Sequence, residues 1–245
     1  MGTVLYGVLI GAFVTLIGGG GASLYLGVLV SQLGIGTHSA VATSLFVALP
    51  ALFFGFVSQW RVKNVHFQLG NQLLFAAIPA ILIGTVVSPY IPQKIYSFIV
   101  GGILIAMGII VLWKFFRSGD SKQKKLRRPW VARSFGGLSG LMVGIGGLSG
   151  GATTAAGLAI LGLTTVEAAG TSTYVLLGMS TLGFVFHLFN SVIVWKAGIG
   201  LMVGAIVGSV VTPLILSRLN AERINKILTP FLGIVIIYFG AKMWS

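Results

Sequence analysis

The chain has 245 residues, 56% of them apolar and 8% charged, with a mean hydropathy of +1.02. Ordinary soluble domains carry about 25% charged residues, so a water-soluble globule is excluded. Sixteen basic residues against three acids give a net charge of +13, and there is no cysteine, which removes disulfides, thiol redox chemistry and thiolate metal sites. Asp120, Glu167 and Glu222 are the only acids. They are too few for a carboxylate metal cage, a paired-carboxylate hydrolase or a cation pore ringed by acids. The apolar runs are also too continuous for the alternation of a membrane barrel. Composition therefore predicts an all-α, polytopic integral membrane protein that needs no cofactor and no metal.

In chain order, the first apolar region, Val4 to Leu33, is broken by Gly18-Gly19-Gly20-Gly21. Its start, MGTVLYGVLIGAF, has no basic n-region and no small-residue cleavage site, so it reads as a first helix and not as a removable signal. Spans near or above the ~20 residues needed to cross hydrocarbon follow at His38 to Trp60, Leu69 to Val87 and Ile95 to Trp113. Next comes a segment holding half of the basic residues: Lys114, Arg117, Lys122, Lys124, Lys125, Arg127, Arg128 and Arg133. No nucleic-acid motif accompanies it, so it reads as a cytoplasmic loop against anionic lipid headgroups. A second broken region, Phe135 to Leu161, is interrupted by Gly146-Gly147-Leu148-Ser149-Gly150-Gly151, and spans at Val166 to Val194, Ala197 to Leu216 and Ile224 to Trp244 complete the chain. Each half of a broken region is expected to hold only ~10–15 residues, short of a ~30 Å core.

The two halves repeat. A slide of 128 positions lays Leu33–Val57 on Leu161–Val185 with eleven identities in twenty-five, among them Thr37, Thr43, Ser44, Gly55 and Phe56. The same slide puts Gly18-Gly19 on Gly146-Gly147, and a slightly different one puts the Gly84–Ile91 stretch on Gly208–Ile215. The chain thus divides into a first repeat (1–114), a basic cytoplasmic linker (115–133) and a second repeat (134–245). With that linker inside, inverted repeats place thirteen basic residues inside and Lys94, Lys196 and Lys242 outside, against twelve and four for parallel repeats. The expected architecture is eight to ten helices in two inverted repeats, each glycine break forming a hairpin that dips in and returns or a pair of short crossings, and both breaks meeting near the midplane.

Helices interrupted at membrane depth in corresponding places of two repeats point to a transport site. A helix starting after Gly21 or Gly151 offers N–H groups and the positive end of its dipole to an anion. The candidate substrate contacts are Gly19, Gly20, Gly21 and Ser23 at the first break, and Gly147, Ser149, Gly150, Gly151 and Thr153, with Thr154, at the second. The competing reading is that these glycines are close-packing surfaces between helices. Thr43-Ser44 and Thr171-Ser172 are symmetric hydroxyl pairs that either donate to an oxyanion or bond back to their own helix. Thr164 and Glu167 have the spacing of a capping box, so Glu167 is expected to reach back to a backbone N–H, with proton coupling as its alternative. His187, with Asn190 one turn away, is either bonded to a neighbouring helix or contacts substrate. His38 and His66 lie near predicted interfaces and carry no signal.

The glycine-rich break after a short first helix, the G-I-G-x-x-S-A-V-A-T-S run of Gly34–Ser44, the repetition of both and the basic central linker together resemble the TauE/SafE family of sulfite and organosulfonate exporters. The resemblance covers nearly the whole chain. It implies a multi-pass permease of the inner (plasma) membrane that exports a small anion such as sulfite, an organosulfonate or an organic acid by alternating access, with possible proton or ion coupling. The proline that many members place after the glycine run is absent, since Tyr25, Leu26 and Gly27 follow, and Thr153-Thr154-Ala155-Ala156 stands in the second half. The alternatives are an anion channel or a non-transport assembly subunit. An enzyme lacks acid-base groups, and no nucleic-acid partner is expected.

Overall fold

The computed structural model describes residues 2–17, 21–116, 129–148, 150–163, 165–189, 192–216, 230, 234, 237–242 and 244. Among the described residues the ordered secondary structure is helical: α1 (Gly2–Ile17), α2 (Ala22–Ser31), α3 (Thr37–Arg61), α4 (Phe67–Val87), α5 (Gln93–Phe116), α6 (Pro129–Gly146), α7 (Gly151–Ile160), α8 (Thr165–Leu188) and α9 (Trp195–Leu216), with a 3-10 turn at Ser88–Tyr90 between α4 and α5. Thr37–Arg61, Phe67–Tyr90 and Glu167–Leu188 are each long and apolar enough to cross a bilayer unaided. Most of the expected span Ile224 to Trp244 lies outside the described residues, as do 117–128 of the expected linker. The ends of that linker are helical, since α5 runs to Phe116 and α6 starts at Pro129.

Three expected boundaries need correction. The span Val166 to Val194 ends as a helix at Leu188. Val192–Val194 are apolar but not helical, and Val194 stands just before α9, its carbonyl accepting the Gly198 N–H at 2.9 Å. The first halves of the broken regions are longer than expected, 16 residues in α1 and 18 in α6, while α2 and α7 have 10 each. At 1.5 Å per residue α6 is about 27 Å long, close to a full crossing, and only its partner α7 is short.

The repeats interleave. α6 lies along α4 of the other repeat, and α9 lies along α1. On α6, Gly136, Gly140 and Gly144 rest directly on the α4 backbone at Leu73, Ala77 and Ile81, so the two helices run parallel. On α1, Gly7 and Gly11 rest on α9 at Leu201 and Ala205, residues that the 128-position slide carries onto Leu73 and Ala77. These glycines, which lie outside the two breaks, form close seams of small residues: without a Cβ the backbones approach and gain dispersion contact that lipid cannot supply. α3 packs on α8, its own repeat equivalent, with Gly55 facing Thr173 and Gly183 facing Leu45. The numbers run in opposite directions, so this pair is antiparallel.

Tyr25, Leu26, Leu29, Leu45, Leu73, Ile81, Tyr96, Leu104, Leu176 and Met179 are fully buried between these helices. Large apolar side chains also cover the outside, among them Phe75 (70% exposed) and Ile83 (59%) on α4. Such a surface is stable facing lipid and not water. Pro50 and Pro79 sit inside α3 and α4, tolerated because neighbouring helices re-satisfy the backbone groups they free.

Candidate functional site

The second break turns a helix back on itself. Gly147 (φ +59°) and Gly150 (φ +54°) are left-handed, a conformation that L side chains rarely adopt. α7 then returns beside α6, with Gly150 packed on Ser139 and Gly157 on Phe135. α6 and α7 thus form a helical hairpin with one arm of 18 residues and one of 10. Its depth differs from expectation. Gly147 packs on Val41, in the second turn of α3, and Gly84 near the end of α4 meets Gly144. The break therefore lies towards one end of the long helices and not at their middle. The cause is the length of α6, which carries the chain most of the way along α4 before the turn. Gly18, Gly19 and Gly20 of the first break lie outside the described residues, and Gly21 forms the N-cap of α2, its carbonyl accepting the N–H groups of Leu24 and Tyr25.

A helix that stops inside the protein leaves its last carbonyls without backbone donors. Here they are taken by side chains from three other helices. His187 Nε2 on α8 lies 2.9 Å from the Gly144 carbonyl, and the Thr85 hydroxyl on α4 approaches the same oxygen at 3.5 Å. The Tyr96 hydroxyl on α5 donates to the Ile145 carbonyl. The His38 ring at the start of α3 stacks on Tyr96, centroids 4.0 Å apart and planes within 7°, and Thr37 bonds Ser97 at 2.7 Å. Four helices, α3, α4, α5 and α8, thus converge on the end of α6. Of these residues the sequence singled out only His187.

On the α7 side of the break, Thr153 shares a 2.7 Å hydrogen bond with Ser139 and donates to the Gly150 carbonyl at 2.7 Å, while Thr154 donates to Ser139 at 3.1 Å. All three are buried. Ser139 was not among the expected residues; it lies on the side of α6 turned to α7, away from the glycine stripe that faces α4, and nothing in the sequence marks it. Gly151 begins α7 and is buried, and Ser23 is buried in α2. Ser149 lies outside the described residues.

The symmetric hydroxyl pairs are not brought together. Thr43 donates to Ser39 in its own helix at 2.7 Å and accepts the N–H of Val194 at 3.1 Å. Thr171 accepts the N–H of His66 at 2.9 Å. His66 is the N-cap of α4, and Val194 is its repeat equivalent before α9. Each threonine therefore holds the start of a helix in the other repeat. In the antiparallel α3–α8 pair they stand about fourteen residues apart along the axis, roughly 20 Å. Ser44 bonds back to Val41 at 2.8 Å. Glu167 pairs with His66 Nε2 at 3.0 Å, side chains 34% and 47% exposed, a contact worth at most about 1 kcal/mol in such surroundings. The sequence assigned nothing to His66. Thr164 and Asn190 lie outside the described residues.

Among the described residues, four buried side-chain atoms have no hydrogen-bond partner: Tyr25 Oη, Ser172 Oγ, Ser180 Oγ and His187 Nδ1. Three of the four are on α8. At 100° per residue, Ser172, Ser180 and His187 fall in one stripe about 80° wide that runs some 22 Å along the helix, with Leu176 and Gly183 between them. Every Lys and Arg whose side chain is described is exposed, so among the described residues the interior is polar without fixed positive charge.

These features define an all-helical membrane protein with a helix broken into a hairpin beside a buried, uncharged polar stripe. The chain belongs to the sulfite exporter TauE/SafE family, whose model matches residues 3–243, and this is a family of membrane transporters. It is similar to the "Probable membrane transporter protein YdhB" of Bacillus subtilis (strain 168), 25% identical over 239 residues that cover 94% of this chain and 97% of the relative.

Proposed function

We propose that this transporter carries a small anion, such as sulfite, an organosulfonate or an organic acid, out of the cell across the inner (plasma) membrane by alternating access, and that the α8 stripe and the second break line its path. The observation that carries this reading is the row of buried polar atoms without partners on α8. Each costs about 1–3 kcal/mol to leave unpaired. Such a cost is retained where a passing ligand uses the groups. Neutral donors suit a permease, because several hydrogen bonds of about 0.5–1.5 kcal/mol net, up to about 3 to a charged acceptor, hold an anion loosely enough to release it.

The repeats read as inverted. α3 runs antiparallel to its equivalent α8, so the axis relating the halves is perpendicular to the helices and lies in the membrane plane, as in other transporters of this kind. With the basic linker inside, the Arg61 loop falls inside and the Lys94 and Lys196 loops outside. Single cysteines there, labelled from either side of oriented vesicles, are expected to report that pattern. A Lys196 loop on the same side as the Arg61 loop makes the repeats parallel.

Purified protein in proteoliposomes is expected to accumulate sulfite or an organosulfonate against its gradient, whereas mere equilibration would make the protein a channel. Ser180→Ala supplies a sharper check on the path. Removing a hydroxyl that has no partner should leave thermal stability unchanged or raise it by about 1 kcal/mol, while transport falls several-fold. Full transport in Ser172→Ala and Ser180→Ala together takes the stripe out of the path.

A further inference from the structure

We propose that His187 couples a proton to the anion: the ring takes up one proton at Nδ1 when the anion binds and loses it when the anion leaves. This rests on the reading of the site as an anion path. The argument starts from Nε2. Its neighbour is the Gly144 carbonyl at 2.9 Å. A carbonyl can only accept, so Nε2 carries the hydrogen. In the neutral ring Nδ1 is then a bare lone pair. That nitrogen is buried without a partner, in a residue 1% exposed. A lone pair repels an oxyanion. A proton on Nδ1 turns the same atom into a charged donor, and charge-assisted bonds are about twice as strong as neutral ones. Anion and proton therefore bind together or not at all at this position. The transfer is a simple one: a proton given up by hydronium or the buffer acid, which is left as water or the buffer base, forms the Nδ1–H bond, imidazole becomes imidazolium, and its charge offsets that of a monovalent anion, so the pair moves as a neutral load through a low-dielectric interior.

The surroundings leave His187 as the group placed to do this. His38 at the start of α3 is near enough to interact with it electrostatically, but its ring is stacked on Tyr96. Tyr96 on α5 is committed to the Ile145 carbonyl. α4 presents Thr85, a hydroxyl, at the same carbonyl as His187, and α7 has no titratable side chain. On α6 the titratable residue is Arg133, exposed and at the far end from Gly144. Lys94 and Lys196 begin α5 and α9 and are exposed. On α8 itself Glu167 is twenty residues away, about 30 Å along the helix.

The test uses the purified full chain with methanesulfonate and lactate, which stay ionised from about pH 6 to 8 and bring no proton of their own. Calorimetry in two buffers of different ionisation enthalpy is expected to show about one proton taken up per anion. Affinity should weaken up to about tenfold per pH unit once the unliganded ring is neutral. His187→Gln keeps an amide donor for the Gly144 carbonyl and should bind more weakly, with no proton uptake and a flat pH profile. His66→Gln should keep the uptake. Wild-type binding of either anion with no proton uptake overturns the coupling and leaves the anion path standing. Uptake that survives in His187→Gln and vanishes in His38→Gln overturns the assignment to His187. Failure of wild type to bind either anion removes the anion path and the coupling with it. The wild-type measurement decides whether a proton travels even where a variant does not fold.

Discussion

Gly140→Val is expected to abolish the folded protein, whereas Gly137→Val, three residues away on the same helix, is expected to be silent. A Cβ at Gly140 would stand 2.6 Å from the Ala77 carbonyl oxygen and 2.8 Å from its Cα. Both are backbone atoms of α4, so nothing can swing aside. The helices must part, and because α6 and α4 pack along their length, parting at Ala77 also lifts Gly136 from Leu73 and Gly144 from Ile81. Overpacking a core costs about 1–3 kcal/mol, and here it falls on a seam with no flexible side. At Gly137 the Cβ finds its nearest neighbour, the Ala76 oxygen, at 3.9 Å. Gly11→Val should repeat the Gly140 result on the other seam, where the Ala205 oxygen is 2.4 Å and its Cα 2.7 Å away. Size-exclusion profiles and thermal unfolding in detergent would show it. Equal behaviour of Gly137→Val and Gly140→Val would mean that the α4–α6 seam is not a close one.

The two seams also show what the sequence carried and what it did not. The 128-position repeat was legible because identities at Thr37, Thr43, Ser44 and Gly55 survive against a uniformly apolar background. The long spans were legible from length alone. Which helix packs on which was not. Apart from the narrow row of Ser172, Ser180 and His187 on α8, α8 and α9 show almost no net hydrophobic asymmetry, since lipid and protein neighbours ask for the same residues, so periodicity gives no direction to either. The exchange of α6 and α1 between repeats follows from glycines whose partners, Leu73 and Leu201, carry no mark in the sequence. The depth of the second break failed for a different reason: the first half was started at Phe135, after the basic Arg133, whereas α6 already begins at Pro129 inside the expected linker. At the break itself, His187 stood out as an ionisable residue inside an apolar span. Tyr96 and His38 did not, because one looks like an interfacial aromatic and the other like a loop neighbour until the end of α6 is seen between them.

Thr43→Val and Thr171→Val are expected to lower stability by about 1–3 kcal/mol each while leaving the anion affinity of the folded protein unchanged. Valine keeps the shape of threonine and removes the oxygen. In wild type that oxygen accepts the Val194 N–H at one site and the His66 N–H at the other, and both threonines are fully buried. The valine variants leave each N–H facing a methyl group at the start of a helix, where no carbonyl of the preceding turn can reach it. A buried donor left unpaired costs about 1–3 kcal/mol. At His66, whose side chain is 47% exposed, water reaches the start of the helix, so Thr171→Val should fall at the lower end of that range. Serine at either position keeps the acceptor and should recover most of the loss. Amide exchange is the direct readout: protection at Val194 should drop in Thr43→Val alone, and protection at His66 in Thr171→Val alone, each tenfold or more. The double variant should add the two losses, since the sites are about 20 Å apart and share no partner. A valine variant that unfolds like wild type yet binds anion many-fold more weakly would return that threonine to the transport path and deny it the role of fastening one repeat to the other.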